Sequence, residues 1–278
     1  LAPLGEIGAY VHQGQWLPTD TLEKYYQACA SFHPKIDFAR KKVIIADVDE
    51  TICESCQQIS VEMAAEINRL SRKGYAFAFI SGTKCEDLQQ MISSRLEEEH
   101  HLLGTTGTRY MAVHNGENKV LYNHSFTPLE KKEIMDAFEK LIAEYNIQSL
   151  TTREDQLQDR DSQITLSAIG RHAPSDEKAR YDADGTKRKG WVEFLKPHLG
   201  EKYDIKIGGT TSIDVTRKGL DKAWGIQEFA RERKISPETI LFFGDKLYPG
   251  GNDHPATRIV DCLAVKNPQE TLVKLRSL

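Results

Sequence analysis

The stretch KKVIIADVDETICES, residues 41–55, places two carboxylates directly after a run of apolar residues. Val43–Ile45 are apolar, and Asp47 and Asp49 follow with a single residue between them. An apolar run without alternation is typical of a strand buried on both faces, as in a parallel sheet. Ligands of open parallel sheets bind at the carboxyl ends of the strands. The two acids therefore stand where such a sheet carries its chemistry.

Two later apolar runs also end in polar residues. The run YAFAFISGT, residues 75–83, stops at Ser81 and Thr83, and TILFFGD, residues 239–245, stops at Asp245. If all three runs are strands of one parallel sheet, their polar ends meet at the same edge.

Helical patterns separate these runs, and the alternation of strand and helix predicts a doubly wound α/β core with a Rossmann-like parallel sheet covered on both faces. The helices are predicted over residues 60–73, 84–98 and 221–233, and the second of them carries the chain to Gly104. Two short strands are predicted around an Asn115–Gly116 turn, and a last strand is predicted at 262–266.

The sequence changes character between the two halves of this pattern. Residues 127–145 predict a helix with proline at its start, and a second helix is predicted over 186–196. DSQITLSAIGR, residues 161–171, alternates like an antiparallel strand with one face exposed to water, and residues 203–215 predict a further pair of strands. An inserted α+β cap is the simplest interpretation. The predicted parts are an N-terminal extension at 1–40 with one short helix, a core at 41–124 and 218–278, and a cap at 125–217.

Composition favours a globular enzyme. Of the 278 residues 39% are hydrophobic and 28% charged, and the formal net charge of -4 gives no reason to expect nucleic acid as a partner. No apolar run reaches the roughly 18 residues of a membrane span, and the first sixteen residues lack the pattern of a secretory signal. Five cysteines, an odd and sparse number, favour a reducing compartment and predict a cytoplasmic location. Cys53 and Cys56 form a lone C-x-x-C, which we expect to be incidental.

The residue types at the first two strand ends suit phosphoryl transfer. A carboxylate such as Asp47 can attack phosphorus and become an aspartyl phosphate. Asp49, two residues further on, can protonate a leaving group and later deprotonate water or a hydroxyl. Ser81 or Thr83, with backbone amides beside it, can hold the phosphoryl oxygens.

Charge balance predicts a cation and a metal ion at the same edge. A lysine must offset the acids and the phosphate, and Lys222, at the start of the helix after the cap, is the candidate. Asp245 completes an oxygen-rich site for Mg²⁺, a hard cation that takes carboxylates and waters. Each motif alone is common, but their shared position at strand ends indicates an enzyme.

The set of motifs resembles the haloacid dehalogenase superfamily, and within it the eukaryotic-type phosphomannomutases, which carry a cap of the C2B type. FFGDKLYPGGNDHPA, residues 242–256, is similar to the metal loop of that family. SQITLSAIGR and KIGGTTSIDV are similar to two of its cap strands, and HNGENKVLY to one of its hairpins. The resemblance extends from about residue 41 to 275.

The resemblance implies a role for each matching residue. Asp47 and Asp49 match the nucleophile and the general acid/base, and Lys222, with Lys218 as a rival, matches the phosphate-binding lysine. In the cap, arginines suit the distal phosphate of a phosphohexose and an aspartate suits its hydroxyls. The expected sites are a catalytic set of Asp47, Asp49, Ser81 and Lys222, a Mg²⁺ site of Asp47, Asp49, Asp245, Asn252 and Asp253, and a substrate site of Thr83, Arg160, Arg171, Lys178, Ser212 and Asp214.

Three positions depart from the mutase pattern. Glu50 stands where the mutases usually have Gly, Cys56 where they place an Arg, and Lys178 where they have a third cap Arg. Losing a bidentate phosphate contact weakens binding by roughly 1.5–3 kcal/mol, so a bisphosphate intermediate would be held less firmly. The sequence therefore favours a Mg²⁺-dependent phosphatase of a small phosphorylated sugar, with a phosphomannomutase as the alternative.

A non-catalytic sugar-phosphate sensor is a third hypothesis. Such a protein would be expected to lack Asp47 or Asp49, and both are present. The predicted partner is a small phosphorylated sugar, without nucleic acid or membrane, and the cap is expected to offer a surface for a homodimer.

Overall fold

Two β-sheets form the framework of the structure. The computed structural model describes residues 36–55 and 57–278, and Ala39–Leu278 form one compact unit. Most of the predicted extension at 1–40, with its short helix, lies outside the described residues, as does Cys56. The strands are β1 (Val43–Asp47), β2 (Ala76–Ile80), β3 (His100–Gly104), β4 (Arg109–His114), β5 (Glu117–Asn123), β6 (Leu157–Asp159), β7 (Gln163–Ser167), β8 (Tyr203–Gly208), β9 (Ser212–Arg217), β10 (Ile240–Gly244) and β11 (Asp261–Ala264).

The larger sheet has seven strands and is mostly parallel. Its order is β11-β10-β1-β2-β3-β4-β5; the first five strands run parallel, and β4 and β5 add antiparallel pairs at one edge. The turn between β4 and β5 is the predicted Asn115–Gly116, whose φ values of 51° and 78° suit a tight hairpin. β1 lies between β2 and β10, so Asp47 ends a central, buried strand. The predicted α/β core is confirmed.

Polar residues begin the helices where the sequence predicts them. Ser60 Oγ accepts a hydrogen bond from Met63 N, and Asp221 Oδ1 accepts one from Trp224 N. Thr127 and Glu130 form a reciprocal capping box. The helices of the described residues are α1 (Val61–Arg72), α2 (Cys85–Ile92), α3 (Pro128–Glu144), α4 (Arg153–Gln156), α5 (Ser175–Tyr181), α6 (Thr186–Leu199), α7 (Lys222–Arg233) and α8 (Pro268–Arg276).

One strand of the larger sheet differs from the sequence prediction. The helix predicted over 84–98 ends at Ile92, and β3 follows at His100–Gly104, where no strand was expected. His100 and His101 are buried, and burial lowers the pKa of His101 to about 3. Two histidines interrupt the apolar pattern of this strand, but they are neutral at physiological pH and pack as part of the core.

The smaller sheet belongs to the segment from α3 to β9, which we call the cap. Its order is β6-β7-β9-β8, and all neighbours are antiparallel. One face packs on α3 and α6 through a buried apolar cluster. The cluster includes Phe138, Leu141, Ile164, Leu166, Trp191, Leu195, Ile213 and Val215. The apolar alternation of β7 and β9 therefore fixes which face of the cap sheet the helices cover.

The polar side of β7 in the cap sheet is buried, which corrects the prediction that this strand has one face exposed to water. Gln163, Thr165 and Ser167 are all buried. Two of them form hydrogen bonds within the sheet: Gln163 Nε2 donates to Thr165 Oγ1 at 3.0 Å, and Thr165 Oγ1 donates to Asp214 Oδ1 at 2.7 Å. In the described part of the chain, no helix is long and apolar enough to cross a membrane.

Candidate active site

Lys222 lies between two carboxylates at the carboxyl end of the larger sheet. Its Nζ is 2.6 Å from Asp47 Oδ1 and 2.5 Å from Asp253 Oδ1, and all three side chains are at most 6% exposed. Three elements supply them, since β1 ends at Asp47, α7 begins at Lys222 and Asp253 follows β10. The rival Lys218 instead pairs with Glu201 at 2.6 Å, where both side chains are exposed. The structure therefore places Lys222, and not Lys218, among the acids.

Burial and mutual charge set the protonation of this cluster. Burial raises the pKa of Asp47 to about 7; Lys222 opposes this rise and Asp253 adds to it. Burial works against the charged form of Lys222, but Asp47 and Asp253 outweigh it and raise the pKa of the ammonium group. Lys222 therefore stays charged at neutral pH, whereas Asp47 needs further positive charge nearby to be fully ionised.

Asp245 brings a third carboxylate to the same place. Oxygen atoms of Asp47, Asp245 and Asp253 lie within 4.8 Å of one another. Among the described residues, Asp245 Oδ1 is buried and has no hydrogen-bond partner, while Lys246 Nζ lies 2.9 Å from its other oxygen. A buried carboxylate oxygen without a partner is costly, and a hard divalent cation would satisfy it. The three acids therefore fit a metal ion.

The other two predicted metal ligands are placed differently. Asp49 is half-buried in the turn after β1, where its backbone forms an isolated bridge with Cys53. It is outside the group of three acids that the described residues form. Asn252 immediately precedes Asp253 in the loop after β10. The part of Asp49 and Asn252 in metal binding remains a prediction.

The turn that carries Asp49 has an unusual backbone at Glu50. The φ angle of Glu50 is 59°, in the left-handed region that favours glycine. Two hydrogen bonds hold it there: Glu50 N donates to Cys53 O at 2.8 Å, and Ser55 N donates to Glu50 Oε1 at 3.1 Å. This conformation gives a physical reason for the Gly of the mutase pattern at this position.

Ser81 and Thr83 lie at the end of β2, beside the nucleophile strand. The register pairs Asp47 with Ile80, so Ser81 is one residue beyond the partner of Asp47. Ser81 Oγ accepts a hydrogen bond from Thr83 N at 3.1 Å, and Thr83 O accepts one from Thr105 N at 2.9 Å. These bonds fix the Ser81 hydroxyl and the backbone of Thr83 at the same sheet edge as Asp47.

A cleft of about 760 Å³ separates this edge from the cap. Thr83 and Lys84 line it from the larger sheet, and Arg160 and Arg171 line it from the cap. Asp47 is not among the described residues that line the cleft. The cleft thus runs from the Ser81–Thr83 turn toward two of the predicted cap arginines.

The two cap arginines are held by neighbouring groups. Arg160 Nη2 donates to Gln158 Oε1 at 2.7 Å. Lys178 Nζ donates to the carbonyl oxygen of Arg171 at 2.9 Å. Lys178 therefore braces the backbone that carries Arg171.

Ser212 and Asp214 lie on the polar face of the cap sheet, two residues apart on β9. Asp214 Oδ1 accepts the hydrogen bond from Thr165 described above. Burial raises the pKa of Asp214, and Thr165 and the positive charge of Arg160 oppose that rise. Neither Ser212 nor Asp214 is among the described residues that line the cleft.

Sequence reasoning missed three cap residues that contact the cleft or its arginines. Asp155, Gln158 and His172 all line the cleft. His172 directly follows the predicted Arg171, and this adjacency is the one signal that could have indicated it. Asp155 and Gln158 belong to no recognised motif, so only the fold brings them to the site.

Comparison with known proteins adds a family and a fold. A family profile described as haloacid dehalogenase-like hydrolase matches residues 44–255. The phosphomannomutase of Schizosaccharomyces pombe is 27% identical over 255 residues, covering 86% of this chain and 94% of its own length. The phosphomannomutase of Saccharomyces cerevisiae is 29% identical over 229 residues, covering 78% and 87%.

Solved structures show the same fold at lower identity. The IMP-bound, N-terminally truncated IMP-nucleotidase of Plasmodium falciparum has a TM-score of 0.62 at 18% identity, covering 85% of this chain and 68% of that one. A haloacid dehalogenase-like hydrolase from Bacteroides thetaiotaomicron has a TM-score of 0.57 at 13% identity, covering 85% and 99%.

Proposed function

Because the chain belongs to the haloacid dehalogenase-like hydrolase family, and is therefore an enzyme, we propose that it interconverts the 1- and 6-phosphates of a hexose as a phosphomannomutase does. The sequence alone favours a phosphatase. The relatives named as phosphomannomutases, which align along most of this chain, favour the mutase instead.

The observation that carries the proposal is that Thr83, at the sheet edge that carries Asp47, lines the same cleft as two cap arginines, so that one cleft connects two candidate anion sites. Asp47 and Lys222 lie at the end of β1 beside the Ser81–Thr83 turn, and Thr83 lines the same cleft as Arg160 and Arg171. A mutase must hold one phosphate for transfer while it binds the other. A phosphatase of a monophosphate needs only the first of these sites.

The reaction begins with phosphoryl transfer to Asp47. Asp47 attacks phosphorus, the bond from phosphorus to the sugar oxygen breaks, and Asp49 donates a proton to that oxygen. In the second step the free hydroxyl of a bound hexose monophosphate attacks the aspartyl phosphate, the bond from phosphorus to Asp47 breaks, and Asp49 takes the hydroxyl proton, so that a hexose 1,6-bisphosphate forms. After this bisphosphate turns in the site, Asp47 takes its other phosphoryl group by the first step, and the isomeric monophosphate leaves. Lys222 favours the ionised form of Asp47 and offsets the charge of the phosphoryl oxygens.

We propose Mg²⁺ as the metal ion that Asp47, Asp245 and Asp253 would hold. Bound there, it would supply positive charge to the phosphoryl oxygens. The carboxylate oxygens suit this hard cation, and the buried Asp245 Oδ1, which has no hydrogen-bond partner among the described residues, is the feature that supports it.

The test is a product analysis by ³¹P NMR. With Mg²⁺, mannose 1-phosphate and a catalytic amount of hexose 1,6-bisphosphate, the enzyme should form mannose 6-phosphate and release little free phosphate. Asp47→Asn should abolish both products. If free phosphate forms stoichiometrically and no 6-phosphate isomer appears, the mutase proposal is wrong. The enzyme is then the phosphatase that Lys178 and Cys56 suggest from the sequence.

A further inference from the structure

The Asp155 carboxylate is a centre of hydrogen bonding in the cap. Its Oδ2 accepts from Thr151 Oγ1 at 2.7 Å and from His172 N at 3.0 Å, and its Oδ1 contacts His172 Nδ1 at 2.5 Å. Burial opposes the charged form, but the bonds from His172 and Thr151 lower the pKa of Asp155 below its ordinary value. The carboxylate is therefore ionised at neutral pH, accepts all three bonds, and makes His172 Nδ1 a donor.

The backbone of Gly170 passes close to the Asp155 carboxylate and its partner Thr151. Gly170 has a φ of 103°, and a Cβ atom there would lie 1.8 Å from Thr151 Oγ1 and 2.9 Å from Asp155 Oδ2. Only glycine allows this close approach. The loop after β7 is thus shaped around the Asp155 carboxylate.

The same residue is linked to both cap arginines. Arg171 N donates to the carbonyl oxygen of Asp155 at 3.2 Å. Gln158 Nε2 donates to that carbonyl oxygen at 2.9 Å, and Gln158 Oε1 in turn accepts from Arg160. Asp155 therefore connects Arg160, Arg171 and His172, three side chains that line one cleft.

His172 combines a fixed ring with a large exposed surface. Its side chain is 78% exposed, whereas that of Asp155 is 15% exposed. Because Nδ1 is engaged by Asp155, Nε2 is the ring nitrogen that can serve a ligand. An imidazolium with Nε2–H is a donor for a phosphate oxygen, and a neighbouring carboxylate that orients the ring reduces the entropy lost on binding.

We propose that His172 is a further phosphate-binding residue of this enzyme and that Asp155 is its positioning residue. His172 acts with Arg160 and Arg171 on the phosphate that is not being transferred, which is the distal phosphate of a hexose bisphosphate or the single phosphate of a hexose monophosphate that accepts the phosphoryl group. The inference rests on the proposed function. His172 would replace part of the phosphate binding that is lost because Lys178 stands where the mutases have a third cap arginine. His172 binds as the imidazolium, in which Nδ1–H donates to Asp155 and Nε2–H donates to a phosphate oxygen, and no bond between heavy atoms is made or broken.

Calorimetric binding and steady-state kinetics test this assignment with His172→Gln. The dissociation constant of glucose 1,6-bisphosphate and the KM for mannose 1-phosphate should rise about 10-fold to 100-fold, the loss expected for one charge-assisted hydrogen bond. The kcat should change little, and so should kcat/KM for p-nitrophenyl phosphate, because its only phosphate is the one that Asp47 attacks and none is left for the cap. His198→Gln is the matched control, because His198 is an exposed histidine of α6 that contacts Phe194 O at 2.9 Å.

Asp155→Asn tests the positioning role separately. The imidazole ¹⁵N signals of His172 should change, and KM for mannose 1-phosphate should rise with little change in kcat. Unchanged ¹⁵N signals and an unchanged KM would overturn the role of Asp155.

Three outcomes of the binding experiment overturn the inference. Bisphosphate binding by His172→Gln within twofold of the unmodified enzyme would overturn it and leave the proposed function intact. An equal loss on the sugar phosphate and the aryl phosphate would give His172 a structural role. If the unmodified enzyme binds no hexose phosphate at all, the proposed function fails and the inference fails with it.

Discussion

The ammonium group of Lys222 and the carboxylate of Asp47 lie 2.6 Å apart with almost no exposed surface. The same lysine contacts Asp253, so one cation offsets two buried acids. Because all three groups are buried, water cannot solvate any of them if a partner is lost. The protonation of the proposed nucleophile Asp47 and the stability of the folded core therefore depend on each other.

Replacing Lys222 by Met should destabilise the protein and abolish turnover. The change leaves Asp47 and Asp253 buried without their cation, which costs about 3–5 kcal/mol when one partner of a buried pair is removed. The measurement is the free energy of unfolding in urea at pH 7.5. Lys218→Met is the control and should cost less than about 1 kcal/mol, since the pair of Lys218 with Glu201 is exposed. Equal losses in the two variants would contradict the assignment of Lys222.

Removing the charge of Asp245 should weaken the binding of Mg²⁺. Asp245→Asn deletes one of three carboxylates whose oxygens lie within 4.8 Å of one another, so the dissociation constant measured by calorimetry should rise at least about 10-fold. Chelation should remove activity, and added Mg²⁺ should restore it. Asp136→Asn, in an exposed pair with Lys132, should leave the affinity unchanged. An unaltered affinity in Asp245→Asn would exclude Asp245 as a ligand.

Much of the site could be predicted because its residues end apolar strands. Asp47 and Ser81 follow runs that are buried on both faces, and parallel pairing then brings their polar ends to one edge. Lys222 was identified by its position at the start of a helix together with the resemblance. In each case a local pattern marks the residue, so the sequence carries the information.

The rest of the site depends on contacts between segments that carry no pattern of their own. Asp155 meets His172 across 17 residues of chain. β3 was missed because His100 and His101 read as polar although both are buried, and the polar face of β7 is covered although it alternates like a strand exposed to water. Periodicity reports which side chains share a face, but it does not report what covers that face.

Replacing Glu50 by Gly should leave stability nearly unchanged, unlike most introductions of glycine. Gly relieves a left-handed conformation that costs a residue with a Cβ about 1–2 kcal/mol, but it gives up backbone entropy and the hydrogen bond from Ser55 N. These terms nearly cancel. Glu54→Gly, in the same turn, should destabilise by about 0.5–1 kcal/mol because Glu54 does not have a positive φ. The comparison is made by urea unfolding, and a loss at Glu50 larger than at Glu54 would contradict it.

Arg217, at the end of the cap, forms hydrogen bonds to residues 124–130, where the chain enters the cap. It donates from Nε to Glu130 Oε1 and from Nη2 to Glu130 Oε2, both at 2.7 Å, and also to the carbonyl oxygens of His124 and Ser125 at 3.0 and 2.8 Å. The hydrogen bonds from Arg217 lower the pKa of Glu130 to about 2, although burial opposes the shift. The charge of Glu130 is therefore a source of stability at neutral pH.

Glu130→Gln should lower the free energy of unfolding at pH 7 by about 1–2 kcal/mol, the value of charged hydrogen bonds that are partly exposed. The unmodified glutamate has a pKa near 4.5 when unfolded and about 2 when folded, so between these values the unfolded state binds more protons. The contribution is therefore complete above pH 4.5 and declines as the pH falls toward 2. The difference in the free energy of unfolding between the unmodified protein and Glu130→Gln should shrink from pH 6 to pH 3.5 in urea titrations.

Glu193→Gln is the control, because Glu193 forms an exposed pair with Lys196, and its difference from the unmodified protein should not change with pH. A difference for Glu130→Gln that stays constant over this range would contradict the role of its charge.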